Sequence, residues 1–369
     1  MAVVERLAPA PGQRLIVISD IHGNLPLLKG ALAAAEAGPE DILILLGDLC
    51  EKGPESLATL RYVMGLRERL NLHAVQGNCD AWYLFADGTG KDPELWLRKY
   101  LFSPKPGRGP GLLTEMAREQ GLPLAPDMDL GLLRQMLREH YAPEMDFLRA
   151  NPHILDTPDY TFVHGGLPPA DVPWEEAPGW DVMKCDDYAR RCGVHEKWTV
   201  AGHTPVQLYH GGGRICASPY IDAEKRLISI DGGCVLMDDG QLNVLLLRDG
   251  EMECISCDGL PEATALDAQA ESRSSRYISW ADNAVELVEE QGDFVRIRQR
   301  SSGYEMEVPA DWLRRGADGT LKTYDCSDYE LPVAPGDRVK LVRRTSRGYW
   351  IKKNGVSGWY RGRVEAIES

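Results

Sequence analysis

Residues 15–23 read LIVISDIHG: four apolar residues in a row, three of them β-branched, run straight into a serine, an aspartate, an isoleucine, a histidine and a glycine. A run this short and without polar alternation is expected to be a strand covered on both faces, as parallel strands in α/β sheets are. The arrangement recurs. DILILLGD at 41–48, LHAVQGN at 72–78, YTFVHGG at 160–166 and WTVAGHT at 198–204 each place an apolar run ahead of an aspartate, an asparagine or a histidine. Helical spacing of apolar residues over 25–37 and 55–69 separates the first three runs and gives a β-α-β-α-β order. Further strands are expected at 227–230, 235–237 and 242–247, and the fold class is α/β.

With 43% hydrophobic and 26% charged residues and a mean hydropathy of −0.31, the 369-residue chain has the composition of a folded globular protein. Its apolar runs, such as 42–46 and 244–247, fall far short of the ~18–20 residues of a membrane span, so no membrane role is expected. The opening MAVVERLAPAPGQR shows no basic-then-apolar leader, and the expected location is the cytoplasm. Nine scattered cysteines are expected to be thiols; Cys254 and Cys257 have zinc or redox spacing, but no second pair completes a site. Charge is uneven: residues 1–275 carry net −16 and residues 276–369 carry +1, within a total of −15. An acidic main body excludes general affinity for nucleic acid or anionic lipid, both of which need a positive field.

The length suits two domains. Residues 1–260 are expected to form one catalytic domain, with a helical insert at about 81–150 whose helical patterns are interrupted by SPKPGRGPG at 103–111. Polar, small residues at 261–276 read as a linker. Residues 277–369 read as a small barrel of antiparallel strands, among them FVRIRQR, DRVKLVRR, GYWIKK and GWYRGRV.

The strand ends carry the chemistry. Asp20 and His22, Asp48, Asn78, His164 and His203 each follow an apolar run, and at that edge of an α/β sheet loops converge into sites. Three histidines, two aspartates and an asparagine are the oxygen and nitrogen donors that suit a pair of divalent ions of the manganese, iron or zinc type. Two such ions about 3.5–4 Å apart share a bridging carboxylate and direct an acidified water at phosphorus, so phosphoester hydrolysis is the expected use.

The motifs Asp20-Ile21-His22-Gly23, Gly47-Asp48-Leu49-Cys50-Glu51-Lys52-Gly53, Gly77-Asn78-Cys79-Asp80, His164-Gly165-Gly166 and Gly202-His203-Thr204-Pro205 together resemble the calcineurin-like metallophosphoesterases. Within them the resemblance is to the phosphoprotein phosphatase branch and its bacterial diadenosine tetraphosphate hydrolase relatives, over about residues 14–240. It implies a four-layer α/β/β/α sandwich. It also implies one divalent ion on Asp20, His22 and His203, a second on Asn78 and His164, and Asp48 bridging; manganese is expected ahead of iron, zinc or nickel. Asp20 and Asp48 thereby serve catalysis, with Lys52 stabilising charge as an activated hydroxide attacks directly.

The departures from that branch carry information too. Where the branch has Asp-Arg-Gly after the bridging aspartate, this chain has Glu51, Lys52 and Gly53, and lysine lacks the two-pronged grip of arginine. Where the branch has a general-acid histidine after the asparagine, this chain has Cys79. Either Cys79 packs and another group donates the proton, or the leaving group is acidic enough to need little help, as a phosphoanhydride's is. Arg190 and Arg191 lie in the stretch where the branch keeps a phosphate-binding arginine, and a solvated helix face is the alternative for them. Glu51, Cys79, Asp80 and Asp231 are candidate outer partners of the ligands. Trp82 and Tyr83 read as packing or as a base-stacking surface, and His73, His140, His153, His195 and His210 as surface or structural histidines.

Arg338 to Arg363 holds nine lysines and arginines, no acid, and Tyr349, Trp350, Trp359 and Tyr360. That composition fits a polyanion-binding face or a small barrel with an aromatic core, and it resembles bacterial Src-homology-3-like modules, which implies a protein or other ligand for the tail. The first functional reading is a serine/threonine phosphatase-like phosphomonoesterase acting on a phosphorylated protein. The second is a dinucleoside polyphosphate hydrolase or phosphodiesterase acting on a nucleotide. A third, from another class, is an inactive phosphate-binding scaffold.

Overall fold

The computed structural model describes residues 1–103, 107–316 and 318–367; Pro104 to Pro106 of the SPKPGRGPG stretch lie outside the described residues. The chain forms two compact units. The first comprises Met1–Pro205, Pro219–Leu236 and Gly240–Asp258, the second Val206–Ser218, Met237–Asp239 and Gly259–Ser369.

The first unit is α/β, as the sequence implies. One sheet runs in the order Glu251–Cys257, Leu242–Arg248, Leu15–Ile18, Ile42–Leu45, Asn71–Ala74, the last three parallel. The other runs Val4–Arg6, Ile154–Asp156, Tyr160–Val163, Trp198–Ala201, Leu227–Ser229, Tyr220–Asp222. Side chains alternate across a strand. Leu15, Val17, Ile42 and Ile44 therefore face Leu155, Phe162, Val200 and Ile228 of the second sheet, while Ile16, Ile18, Leu43 and Leu45 face the helices. Both faces are buried, which is why these runs show no polar alternation.

Register aligns the strand ends. Ile18 pairs with Leu45 and Leu45 with Ala74, while Val163 pairs with Ala201 and Ala201 with Ser229. The segments leaving those residues therefore start level within each sheet.

The helices Leu25–Ala34 and Ser56–Leu66 occupy the segments expected to be helical. The insert contains Tyr83–Ala86, Pro93–Phe102, Leu112–Glu119, Leu130–His140 and Ala142–Ala150, packed through Leu97, Met116, Leu133 and Leu148 onto the core that Leu60 and Val63 share. Residues 235–237 form no strand; Val235 has a left-handed φ of 55° inside a turn after Gly232 and Gly233. Among the described residues no helix is long and apolar enough to cross a membrane.

The second unit is all-β apart from short turns of 3-10 helix. Its largest sheet runs Val364–Ala366, Glu262–Ala265, Arg338–Thr345, Gly348–Lys353, Val356–Tyr360, Ile215–Cys216, and beside it stands the antiparallel trio Val285–Gln291, Phe294–Gln299 and Glu305–Pro309. This corrects the linker at 261–276: Glu262–Ala265 is a strand whose inward residues are Ala263 and Ala265, too small to give a hydrophobic pattern. It also corrects the assignment of 206–218 and 237–239 to the catalytic domain.

Trp312, Trp350, Trp359 and Tyr360 of the tail are core, whereas Trp280 and Tyr324 are exposed. Trp312, Trp350 and Trp359 pack with ring centroids 5.1–5.9 Å apart. Six of the nine bases between Arg338 and Arg363 pair with acids at 2.9 Å or less: Lys340 with Glu262, Arg343 with Asp311, Arg347 with Glu307, Lys353 with Asp337, Arg361 with Glu330 and Arg363 with Asp267. Buried rings cannot stack on bases and paired cations attract polyanions poorly, so Trp350, Trp359, Tyr360 and these six bases fit the small barrel with an aromatic core. Phe162 is fully buried between the sheets. Phe162→Ala is expected to cost about 3–5 kcal/mol, and Leu132→Ala on the exposed face of the insert less than about 0.5 kcal/mol, as read from urea denaturation midpoints.

Candidate metal centre

The ends of five strands meet around Asp48. One carboxylate oxygen, Oδ1, accepts the Cys79 backbone N–H at 2.7 Å and lies 3.3 Å from His164 Nε2. The other, Oδ2, lies 3.7 Å from His22 Nε2 and 3.8 Å from the Lys52 ammonium. Asp48 therefore presents one oxygen to each of two donor groups, as a bridging ligand must. On one side stand Asp20 and His22, with Asp20 Oδ1 3.8 Å from His22 Nε2. On the other, His164 Nε2 lies 3.3 Å from Asn78 Oδ1. His203 is drawn in by its backbone N–H, which donates to Asp20 Oδ2 at 2.9 Å, and its ring centroid is 5.1 Å from that of His164. All six ligand candidates from the sequence are brought together.

The residues present fit a pair of cations. Asp20, Asp48, His22 and His164 are buried, and ligating atoms of Asp20, Asp48 and His164 lie within 4.8 Å of one another, as do those of His22, Asp48 and Cys79. Asp20 Oδ2 is occupied by Ser19 Oγ and the His203 N–H, yet Oδ1 is buried with no hydrogen-bond partner among the described residues, and Asp231 Oδ2 is likewise unpartnered. An orphaned carboxylate oxygen in a buried site is costly unless a cation takes it. Burial is also the main influence on His22 and His203, with Lys52 adding to it at the first and His164 at the second. It lowers their pKa values to about 3 and about 4, leaving neutral imidazoles with a lone pair to give.

His164 is oriented by its other nitrogen, Nδ1, which donates to the Leu46 carbonyl at 2.6 Å. The backbone is strained where the site is built: Asp20, His22, Asp48, Glu51, Lys52 and His203 all have φ between 50° and 73°. Left-handed non-glycine residues are uncommon, and a cluster of them marks a functional site. Close approach fixes two glycines. A Cβ on Gly77 would stand 2.0 Å from Asp48 N, and one on Gly202 1.9 Å from Ser19 Oγ.

Lys52 reaches inward, with Nζ 3.0 Å from His22 Nε2. Burial opposes its charge, but Cys79, Asp48, Asp20 and Asp231 outweigh burial and raise its pKa. Asp80 accepts from Cys50 N and Gly77 N and braces the loops, and burial followed by Asp48 raises its pKa to about 7. Asp231 accepts from Gly233 N beside the ligands. Glu51, by contrast, turns toward the insert, where its Oε1 accepts from Tyr100 OH and Leu112 N.

Arg190 and Arg191 are not brought to the ligands: Arg190 pairs with Asp187 on the surface and Arg191 donates to the Asp186 carbonyl. The cation in that stretch is Lys184, 3.3 Å from His203 Nε2, which Asp186 Oδ1 also approaches at 2.8 Å. Neither had a signal in the sequence, since each lies past the end of a five-residue helix with no apolar run before it. Trp82 packs on Tyr100 and Phe85, and Tyr83 donates to Gln76, so both serve the insert interface. His73 meets Glu5, His153 accepts from Val3 N, and His195 stacks on Tyr188; none of these meets the ligand set.

Residues 13–228 match the family described as calcineurin-like phosphoesterase. The chain belongs to that family. Calcineurin-like phosphoesterases use a binuclear divalent metal centre, and the residue clusters Asp20, Asp48, His164 and His22, Asp48, Cys79 fit a metal site. The chain is 31% identical over 196 residues to a symmetrical bis(5'-nucleosyl)-tetraphosphatase of Aeromonas hydrophila, spanning 52% of this chain and 54% of that one. It is 30% identical over 216 residues to the asymmetrical bis(5'-nucleosyl)-tetraphosphatase PrpE of a Geobacillus species, spanning 57% and 76%. Over 82 residues it is 40% identical to serine/threonine-protein phosphatase 2 of Escherichia coli, spanning 22% and 35%. A solved structure of a putative diadenosine tetraphosphatase aligns with 70% of this chain and all of its own at 20% identity and a TM-score of 0.45.

Metal-free, the site confines Asp20, Asp48, Asp80 and Asp231 together out of water. Asp20→Asn is therefore expected to raise the thermal midpoint in chelator by ~2–4 °C, corresponding to relief of about 1 kcal/mol. With a divalent ion such as manganese at ~100 times its Kd the parent protein is expected to gain about 2.7 kcal/mol, and the variant well under half of that; differential scanning calorimetry with and without the ion reads both.

Proposed function

We propose that this protein hydrolyses the phosphoanhydride chain of dinucleoside polyphosphates at a two-metal centre. This reverses the order of the two enzymatic readings drawn from the sequence, in which a protein phosphatase came first. The observation that carries the reading is the missing proton donor. Cys79 stands where a general-acid histidine would serve, and burial, reinforced by Asp48, pushes its thiol well above the ordinary range. An acid catalyst needs a pKa near the working pH, and this thiol is far from it. Glu51, at the position that would orient such an acid, is engaged by the insert instead. A serine alkoxide leaves poorly without a proton, whereas a nucleotide phosphate leaves as a stable anion. The two tetraphosphatase relatives support the same choice.

In this reading Asp20, His22 and His203 hold one divalent ion, Asn78 and His164 the other, and Asp48 both; manganese is our proposed metal. Bound there, the ions supply an acidified water and positive charge at the phosphoryl group. The chain contributes the rest. Lys52, kept protonated by its neighbours, offsets the charge that builds on phosphorus. Burial opposes the charge of Asp48, but the Lys52 ammonium and the hydrogen bond from Cys79 hold its pKa below the ordinary carboxylate range.

On a panel at fixed manganese, kcat/KM for diadenosine tetraphosphate is expected to exceed that for a phosphoserine peptide by about 100-fold, the scale of one missing general acid, and chelator is expected to abolish both. Cys79→His is expected to raise phosphoserine turnover by about tenfold or more. Equal rates on the two substrates in the parent protein would contradict the reading.

A further inference from the structure

The helical insert grips the segment that carries Lys52. Glu51 Oε1 accepts from the buried Tyr100 hydroxyl at 2.6 Å and from Leu112 N at 2.9 Å, and the same hydroxyl accepts from Leu113 N at 3.0 Å. One residue on, the Lys52 carbonyl accepts the Gly109 N–H at 2.8 Å. The approach there is tight enough that a Cβ on Gly109 would stand 1.8 Å from the Gly53 carbonyl oxygen. Glu115 completes the grip, its carboxylate accepting from Ser56 N at 3.0 Å and Leu57 N at 2.8 Å. Those are orphan donors of the helix Ser56–Leu66, whose own N-cap Glu55 makes no side-chain cap.

The gripped segment is strained. Glu51 and Lys52 have φ of 73° and 68°, and consecutive left-handed non-glycine residues persist only where surrounding structure imposes them. That backbone is what turns the Lys52 side chain onto His22 and Asp48. The two departures at this place belong together. With Cys79 in place of a histidine, a carboxylate at position 51 has no imidazole to orient, and the glutamate reaches the insert.

We propose that Glu51 and Tyr100 are positioning residues that couple docking of the helical insert to the placement of Lys52, and through it to charge stabilisation at phosphorus. This rests on the phosphoesterase reading above. Loosening the insert releases Lys52 without removing any ligand of the metals. The insert thereby acts on turnover from outside the ligand set.

A double-mutant cycle on p-nitrophenyl phosphate with manganese tests the coupling. Tyr100→Phe, which keeps the ring against Trp82, is expected to lower kcat about tenfold with KM within about threefold. In the Lys52→Ala background the same substitution is expected to cost less than about twofold, because the group it positions is gone. Glu51→Gln carried through the same cycle gives an independent arm should Tyr100→Phe fail to fold, which thermal midpoints reveal. Equal losses in both backgrounds, as a merely structural role gives, or no loss in either, overturn the proposal. A parent protein with no phosphoesterase turnover at all overturns the functional reading first, and that is read before any variant.

Discussion

Four buried carboxylates crowd around the centre, with the Lys52 ammonium 3.8 Å from one of them, Asp48, and the design of the first unit follows from that constraint. Asp20, Asp48, Asp80 and Asp231 are each at most 4% exposed. Burial raises the pKa of Asp20, Asp80 and Asp231, so the folded chain alone resists carrying all of this charge. A pair of divalent cations removes the conflict. Everything around the site keeps the carboxylates from relaxing apart: parallel strands in register, left-handed turns immediately after them, and glycines where the backbones come closest.

Much of this was legible in the sequence, for a physical reason. Strands buried on both faces leave unbroken apolar runs, so a polar residue at the end of a run such as 15–18 or 160–163 stands out, and ligands at strand ends are the easiest to read. Lys184 and Asp186 were illegible because no apolar run precedes them, and Arg190 and Arg191 drew attention only by being arginines. Strand 262–265 was hidden by its composition, since alanines pack inward without a strong hydrophobic signature. The sharing of residues 206–218 and 237–239 with the second unit depends on pairings such as Cys216 with Val356, which lie far apart in sequence.

The departures at Glu51 and Cys79 connect chemistry to architecture. In the reading proposed above, the lack of an acid at position 79 narrows the leaving groups the site can release, while the carboxylate of Glu51 is bonded to the insert through Tyr100 and Leu112. The two proposals, on substrate choice and on the insert, thus rest on the same pair of side chains.

The central claim is that Asp48 bridges two cations, with Asp20, His22 and His203 on one and Asn78 and His164 on the other. Anomalous diffraction at the manganese edge, from crystals grown with that ion, tests it directly. The account predicts two peaks flanking the Asp48 carboxylate, one within ligand distance of each donor group. No peak at Asp48, or ions bound only elsewhere on the chain, would contradict it.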